Sequence, residues 1–409
     1  MDGNVTDSKS TSKSSSSNAF DSGIPTREEL IQRARDMAPI LLERAPNCEE
    51  MRRAPKETID DFKQAGFFKI GLPKKYGGYE MDYDVLCEVI MEIAHACGSS
   101  AWNLAVLGEH NYTLTNSTAE VLDELWADDP EVLLSSGNDH NAELAPTDGG
   151  FIFNARLQYS SGCDYASWWM CRGFEKGSGQ SRGIIIPREH ATIIEDSWHV
   201  AGLAGSGSKD VEFNNVFVPT KHLRPMPFSP EWGGKAAAVQ NPATYRLSQQ
   251  STKPFALTSV SVGIAGGVIK DFTEQMKERQ SRFGNSVAEF QSLQLRLAES
   301  AVEYDTARKI VLSDLQETLS ILRDEEDISP ELHARNRRDM AYCPRLAQAA
   351  VDRLFYAAGA GGLFLDGNLQ RQFRDVHAGG AQVFLNWDIN ATAYGRAILD
   401  LDPQGLIGP

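Results

Sequence analysis

The distribution of apolar residues divides the chain into three stretches. From Thr26 to about Asp129 the apolar positions recur every three or four residues, which is the spacing of amphipathic helices. Thr26 and Glu29 stand at the spacing of a capping box that starts a helix. The first apolar series consists of Leu30, Ala34, Met37 and Leu41. This pattern predicts an N-terminal helical domain over residues 25–130.

The second stretch has the pattern of strands, and the third is helical again. From about Pro130 to Met226, short β-branched and aromatic runs such as "GGFIFNARLQ" and "DVEFNNVFVP" are separated by turn residues. From about Pro242 to Leu399, long apolar stripes return, as expected for antiparallel helices in a bundle. We therefore predict an α+β protein with an antiparallel β-barrel domain at 131–226 and a C-terminal four-helix bundle at 242–400.

Composition narrows the class of protein. The 409 residues carry a formal net charge of −16, which argues against nucleic-acid binding because that function needs a basic face. No uninterrupted apolar run approaches the roughly 18 residues of a membrane helix. The six cysteines form no CxxC pair, and Cys87, His95 and Cys97 lack further ligands at metal-binding spacing. We predict free thiols, a cytoplasmic location and no metal site.

Residues 1–24, rich in Ser and Lys, predict a disordered tail rather than a secretory signal.

Four segments, in order, resemble the acyl-CoA dehydrogenase superfamily. These are "GLPKKYGG", "GLAGSGSKDVEFNNVFVP", "RFG" with the following "FQ", and "AAGAGGLFLDGNLQRQFRD". The resemblance implies an acyl-CoA dehydrogenase-like fold, with a helical domain, a β-barrel and a four-helix bundle. Such dehydrogenases remove an α-proton with a glutamate at one of two positions. By the family's spacing these positions fall near Val383 and Pro254, where this chain has no acid. Since that reaction needs a base within hydrogen-bond reach, acyl-CoA dehydrogenation is disfavoured.

A different branch of the superfamily fits better. "QYSSGCDYASW", together with "SAWNLAVLGEH", "LLSSG" and "RDVHA", resembles the oxygenase components of two-component flavin monooxygenases. The resemblance implies hydroxylation of a phenolic substrate by reduced FAD or FMN and O2, through a C4a-hydroperoxyflavin. No GxGxxG segment follows a strand and opens a helix, so no nicotinamide site is predicted. The flavin would therefore be reduced by a separate NAD(P)H:flavin reductase.

The resemblance also implies residues for the phenolic substrate. A free phenol titrates near 10, so a neutral histidine is needed to accept its proton. His377 in "RDVHA" is the predicted base, and the alternative is a histidine that only caps or packs a helix. His110 is predicted to hold the substrate, and it is the second candidate for the base after His377. Ser136 is predicted to line the pocket. Lys253 is predicted to attract an anionic substrate at the pocket mouth, with a solvated lysine as the alternative.

Further residues are implied for the flavin. Trp102, eight positions before His110 on one predicted helix, would form a wall of the flavin pocket. The Ser161 hydroxyl would face flavin N5, and Ser160 is the neighbour that could take this role. Arg282 would bind the flavin phosphate of a neighbouring subunit, which implies a homotetramer. Phe283 and Gln291 are its companions in this prediction.

Three other functions remain open from the sequence. One is a heteroatom monooxygenase of the same superfamily, acting on sulfur or nitrogen, which would need no phenol base. Another is an acyl-CoA dehydrogenase-like flavoprotein. The third is a flavin-binding or scaffold protein without catalysis.

Overall fold

The computed structural model describes residues 23–224 and 242–402. Of the predicted tail, residues 1–22 lie outside the described residues.

The N-terminal part is helical. Its helices are α1 (Arg27–Met51), α2 (Lys56–Ala65), α3 (Tyr83–Ala94), α4 (Gly98–Leu114) and α5 (Ala119–Trp126). The predicted capping box starts α1: Thr26 Oγ1 accepts from the Glu29 backbone N–H at 3.1 Å, and the Glu29 carboxylate accepts from the Thr26 N–H at 2.7 Å. All but one residue of α4 are buried, so this helix lies in the interior with neighbours on every side.

The middle part is an eight-stranded sheet. Its strands are β1 (Leu134–Ser136), β2 (Glu143–Thr147), β3 (Gly150–Ser160), β4 (Trp168–Glu175), β5 (Ser181–Pro187), β6 (Thr192–Ile194), β7 (Lys209–Pro219) and β8 (Leu223–Arg224). The strand order is β6-β7-β3-β2-β4-β5-β8, with β1 also paired to β4. The β1–β4 and β2–β4 pairs are parallel and the others are antiparallel, which corrects the prediction of a wholly antiparallel sheet.

The C-terminal part is helical again. Its helices are α6 (Pro242–Tyr245), α7 (Phe255–Glu278), α8 (Gln291–Arg323), α9 (Pro330–Ala358), α10 (Asn368–Gly380) and α11 (Trp387–Ala397). By length and composition α7 could cross a membrane, but 78% of its apolar window is buried against the rest of the protein. It packs against α3, α4, α8, α9 and α10, and is therefore a core helix.

Three apolar cores lie among the described residues. One joins the N-terminal and C-terminal helices, another lies on the sheet, and the third contains Leu114 of α4 and Leu134 of β1. Helix α4 belongs to the first core and also contacts β1, so side chains at its sheet-facing end are held between helices and sheet. All six cysteines are free and buried, as the sequence predicts.

Candidate active site

Trp102 on α4 meets a row of serines at the edge of the sheet. The Trp102 indole Nε1–H donates a hydrogen bond to Ser161 Oγ at 3.1 Å. Ser161 Oγ lies 2.6 Å from Ser208 Oγ, and Ser208 Oγ lies 2.8 Å from Ser206 Oγ. We call these four buried residues the serine chain. The structure thus brings together two residues that the sequence predicts for the flavin pocket, Trp102 and Ser161.

An irregular end of β3 positions Ser161. The pairing of β3 with β7 shifts register between Leu157 and Ser160, and Tyr159 has a left-handed backbone with φ of 59°. Such a bulge turns the end of a strand and changes where its side chains point. Ser161 therefore reaches Trp102, whereas Ser160 is fully buried and its hydroxyl has no hydrogen-bond partner within the described ranges.

His110 and Ser136 form a second pair beside the serine chain. His110 Nδ1 lies 2.6 Å from the Leu134 carbonyl oxygen, so Nδ1 carries the proton and donates it. Nε2 is left as an acceptor, and Ser136 Oγ lies 3.1 Å from it. The histidine is 5% exposed, and burial lowers its pKa, so it is neutral near pH 7. A neutral imidazole that accepts a proton from a hydroxyl is the arrangement that a phenol base requires.

Strand β1 links the serine chain to the His110–Ser136 pair. Ser135 Oγ donates a hydrogen bond to the Ser161 carbonyl oxygen at 2.9 Å, while the neighbouring Ser136 contacts His110. Consecutive residues of a strand point to opposite faces, which explains how adjacent serines serve different partners. The two sites therefore share one three-residue strand.

Lys253 lies in the interior rather than at a pocket mouth. It precedes α7, and its side chain is fully buried, which excludes the solvated lysine that the sequence left open. Its Nζ donates to Thr113 Oγ1 at 2.8 Å and lies 3.9 Å from Glu109 Oε1. Glu109 Oε2 lies 3.9 Å from His110 Nε2, so one carboxylate neighbours both the lysine and the histidine. Burial lowers the pKa of Lys253 to about 8.

Two charged residues near His110 and Lys253, Glu109 and Arg224, were not predicted from the sequence. Glu109 stands next to His110 in the sequence, and that adjacency was the available signal. Arg224 at the end of β8 is half-buried, burial lowers its pKa to about 10, and the charge of Glu109 acts in the opposite direction. An arginine at the end of a short edge strand gives no sequence signal for a buried site.

His377 is not brought together with the serine chain. It is on α10 with 42% of its side chain exposed, and its Nε2 lies 2.8 Å from Asp352 Oδ1 on α9. Its ring packs edge-on against Phe373. Asp375 and Gly379 of the same helix face α4, and position 377, two residues from each, points about 200° away from them. The structure therefore does not support the prediction that His377 is the base, because in this chain it packs and pairs on the outer side of α10.

Arg282, Phe283 and Gln291 lie where α7 passes into α8. All three are exposed, with Phe283 at 87%. Within the single chain they therefore do not form part of the buried site around Trp102.

The fold is of the acyl-CoA dehydrogenase type. Residues 25–121 match the family model described as acyl-CoA dehydrogenase, N-terminal domain, and residues 255–387 match acyl-CoA dehydrogenase, C-terminal domain. These matches confirm the predicted superfamily and fold.

Relatives define the family more narrowly. The chain is 30% identical over 354 residues to the flavin-dependent monooxygenase, oxygenase subunit HsaA of Rhodococcus jostii (strain RHA1), covering 85% of this chain and 92% of that protein. It is 29% identical to the FADH(2)-dependent resorcinol hydroxylase, oxygenase component, of Rhizobium sp. (strain MTP-10005), covering 92% and 95%. The crystal structure of the HsaA monooxygenase from M. tuberculosis superposes with a TM-score of 0.87 at 28% identity, over 93% of this chain and all of the other. The chain belongs to this family of flavin-dependent monooxygenase oxygenase components.

Proposed function

We propose that this protein is the oxygenase component of a two-component monooxygenase that hydroxylates a phenolic ring with reduced flavin and O2. The observation that carries the proposal is the neutral His110–Ser136 pair, held one strand away from the Trp102–Ser161 pair. The His110–Ser136 pair suits a phenol, and the Trp102–Ser161 pair suits a flavin ring. Relatives named for resorcinol hydroxylation and as flavin-dependent monooxygenases support this reading.

The residues around Trp102 fit a flavin. A flavin ring is flat, apolar on its faces and lined with polar atoms at its edge, so it needs an aromatic wall and hydroxyl partners. Trp102 supplies the wall and Ser161 the hydroxyl. Ser261 on α7 is buried without a hydrogen-bond partner in the described parts of the chain. It stands beside Gly379, where an added Cβ would lie 2.9 Å from Ser261 Oγ and 3.8 Å from Trp102 Cζ3, so the glycine lets the α10 backbone come close to both side chains. When bound, reduced FAD or FMN would supply the electrons that activate O2.

The chain's own residues would handle the substrate proton. The phenol hydroxyl would bind at Ser136 and pass its proton, directly or through Ser136 Oγ, to His110 Nε2. The Leu134 carbonyl holds the Nδ1 proton in place, so only Nε2 accepts. Burial keeps water from the pocket, which limits unproductive release of H2O2. Ser161 would hold the flavin edge, with its hydroxyl oriented by Trp102 and Ser208.

We infer that the substrate carries a negative charge besides its phenol. Lys253 is fully buried and Arg224 is half-buried, and burial lowers the pKa of each. Both cations would attract an anionic group bound nearby, in addition to Glu109, which already lies beside Lys253. Glu109 lies between Lys253 and His110, so a carboxylate reaching toward the lysine would leave a phenol ring within range of the histidine. A phenolic acid is therefore the substrate class we favour.

Replacing Lys253 tests this substrate class. Lys253→Met should lower kcat/KM for 4-hydroxyphenylacetate by about tenfold or more, because a charge-assisted contact is lost. The matched control is the uncharged methyl ester of the same acid, whose kcat/KM should change little. Equal losses for the acid and the ester would show that Lys253 has a structural role instead.

We propose that the subunits assemble as a homotetramer in the cytoplasm. Apolar side chains are exposed on the C-terminal helices and their loops, and large exposed apolar patches mark subunit contacts. They include Phe283, Tyr356, Leu363, Phe364 and Leu365. The exposed position of Arg282 suits binding of a phosphate that belongs to a neighbouring subunit's flavin.

The proposed function is tested by comparing the isolated protein with the same protein supplied with a flavin reductase. Purified alone with flavin and NADH, the protein should neither oxidise NADH at a catalytic rate nor hydroxylate a phenol. Addition of an unrelated NAD(P)H:flavin reductase should start hydroxylation, seen by mass spectrometry as the gain of one oxygen atom. NADH oxidation by the isolated chain would overturn the two-component proposal.

The other functions are not favoured. A sulfur or nitrogen oxygenase would have no need of a neutral histidine beside a hydroxyl, and a scaffold would not consume O2 in step with product. The family's dehydrogenase base positions hold Val383 and Pro254.

A further inference from the structure

Asp375 is a buried acid that the proposed chemistry does not use. It lies on α10, is 4% exposed, and its Oδ1 accepts a hydrogen bond from the Leu203 backbone N–H at 2.6 Å. Leu203 has a left-handed backbone with φ of 53°, which is strained for a side chain of this size. Its surroundings must therefore hold it in place, and the Asp375 carboxylate is the group bonded to its N–H.

The strained leucine begins the turn that carries the serine chain. Residues Ala204–Ser206 form a single 3-10 turn directly after Leu203. Ser206 Oγ then contacts Ser208 Oγ, which contacts Ser161 Oγ. The direction of the Ser161 hydroxyl thus depends on a turn whose first backbone N–H is bound by Asp375.

The same face of α10 also touches α4. A Cβ placed on Gly98 would lie 3.3 Å from Asp375 Oδ2, and one placed on Gly379 would lie 3.8 Å from Trp102 Cζ3 and 3.7 Å from Leu203 Cδ1. Asp375 and Gly379 are one turn apart on α10, as Gly98 and Trp102 are on α4. Asp375 is therefore packed against α4, which carries Trp102 at one end of the serine chain. It is also hydrogen-bonded to the turn that carries Ser206 at the other end.

Several charged and titratable groups surround Asp375. Burial, Cys97 and Glu49 raise the pKa of Asp375 and the Leu203 N–H and Arg374 lower it, so that the resulting pKa is about 7. The Cys97 Sγ accepts a hydrogen bond from Ser100 Oγ at 3.2 Å. Glu49 of α1 is paired with Arg371 and Arg374 of α10. An asparagine could make the same contact with Leu203 without a buried charge, so the acid is not what packing alone would select.

We propose that Asp375 is a positioning residue whose ionised carboxylate fixes the Leu203 turn and so sets the hydrogen bonding of Ser206, Ser208, Ser161 and Trp102. The effect of Asp375 on a bound flavin rests on the proposed function, but the link from Asp375 through the serine chain to Trp102 does not. Above about pH 7 the carboxylate is charged and accepts strongly from the Leu203 N–H. As the pH falls through 7 it is protonated, the bond weakens, and the serine chain loosens.

The link can be measured without flavin. The full-length protein is labelled with 5-fluorotryptophan, and the Trp102 signal in the 19F spectrum is identified by its loss in Trp102→Phe. In the wild type this signal should shift between about pH 6 and about pH 8 with a midpoint near 7. In Asp375→Asn, which keeps an acceptor for Leu203 but cannot titrate, the shift should be absent. Asp375→Ala should move the Trp102 signal at every pH, because the contact itself is lost.

The chain offers a matched control. Asp314 on α8 is also buried, and burial with Asp339 raises its pKa to about 7. Asp314→Asn should leave the Trp102 titration unchanged. Persistence of the titration in Asp375→Asn, or its loss in Asp314→Asn, would overturn the proposal. Folding is checked by melting temperature: because the pKa of Asp375 is raised in the folded state, Asp375→Asn should melt no lower than the wild type at pH 7.

The loaded enzyme supplies the second readout. With a reductase and a phenol, the fraction of O2 released as H2O2 should rise about tenfold in Asp375→Ala, the effect of one charge-assisted hydrogen bond, and rise less in Asp375→Asn, which keeps a neutral acceptor for the Leu203 N–H. If the wild type hydroxylates no phenol, the proposed function fails while the 19F result still decides the role of Asp375. If hydroxylation is normal and Asp375→Ala leaks no more H2O2 than the wild type, the positioning role fails alone.

Discussion

Replacing His110 with alanine is expected to lower the rate of phenol hydroxylation near pH 7 by about 10²–10⁴-fold, the usual contribution of a general base. His110 is neutral because burial lowers its pKa, and the Leu134 carbonyl fixes Nε2 as the acceptor. Without it the bound phenol keeps its proton and is a poor nucleophile. The measurement is the initial rate of product formation, with H2O2 release followed in parallel, because O2 consumption should continue without transfer.

Two comparisons make this result specific. Raising the pH toward 10, where free phenol ionises, should partly restore the rate of His110→Ala. His377→Ala should keep most of the wild-type rate, since His377 is partly exposed and paired with Asp352. The reverse pattern, with His377→Ala inactive and His110→Ala active, would restore the assignment made from the sequence.

Replacing Arg282 with alanine is expected to weaken the binding of reduced flavin by about one to two decades. A lost charge-assisted contact with a phosphate is worth roughly 1.5–3 kcal/mol. Affinity is measured anaerobically from the change in flavin fluorescence. Arg296→Ala, at an exposed arginine of α8, is the matched control and should bind flavin as the wild type does.

The assembly state decides how the Arg282 result is interpreted. Light scattering of the wild type should give the mass of four chains, and Arg282→Ala should keep that mass if the arginine binds flavin rather than the partner. A wild-type monomer, or an unchanged flavin affinity in Arg282→Ala, would count against a phosphate site shared between subunits.

The local parts of the fold were predictable because they depend on short-range rules. The Thr26–Glu29 capping box and the buried face of α1 follow from residue spacing alone. The pairing of Trp102 with Ser161 followed from a resemblance, since nothing in the spacing of residues 59 positions apart requires their contact. The parallel pairing of β1 and β2 with β4 was missed because short strands carry no signal of direction.

The sequence does not show which residues of "RDVHA" face the interior, because the residues of one helix turn point in all directions. Asp375 faces α4, while His377, two positions later, is partly exposed and contacts Asp352. The buried contacts of Lys253 were beyond prediction for another reason, because its hydrogen-bond partner Thr113 is 140 residues away.

Strand β1 has a consequence for attempts to change what this enzyme accepts. Its three residues hold His110 through the Leu134 carbonyl, hold the Ser161 carbonyl through Ser135, and place Ser136 beside His110, where the phenol is proposed to bind. Random substitution of this strand is expected to impair substrate binding and the hydrogen bonding of Ser161 together. Most such variants should consume NAD(P)H without forming hydroxylated product. Variation at Lys253, which lies outside this strand beside Thr113 and Glu109, is expected to change which ring substituents are accepted while the Trp102–Ser161 contact stays intact.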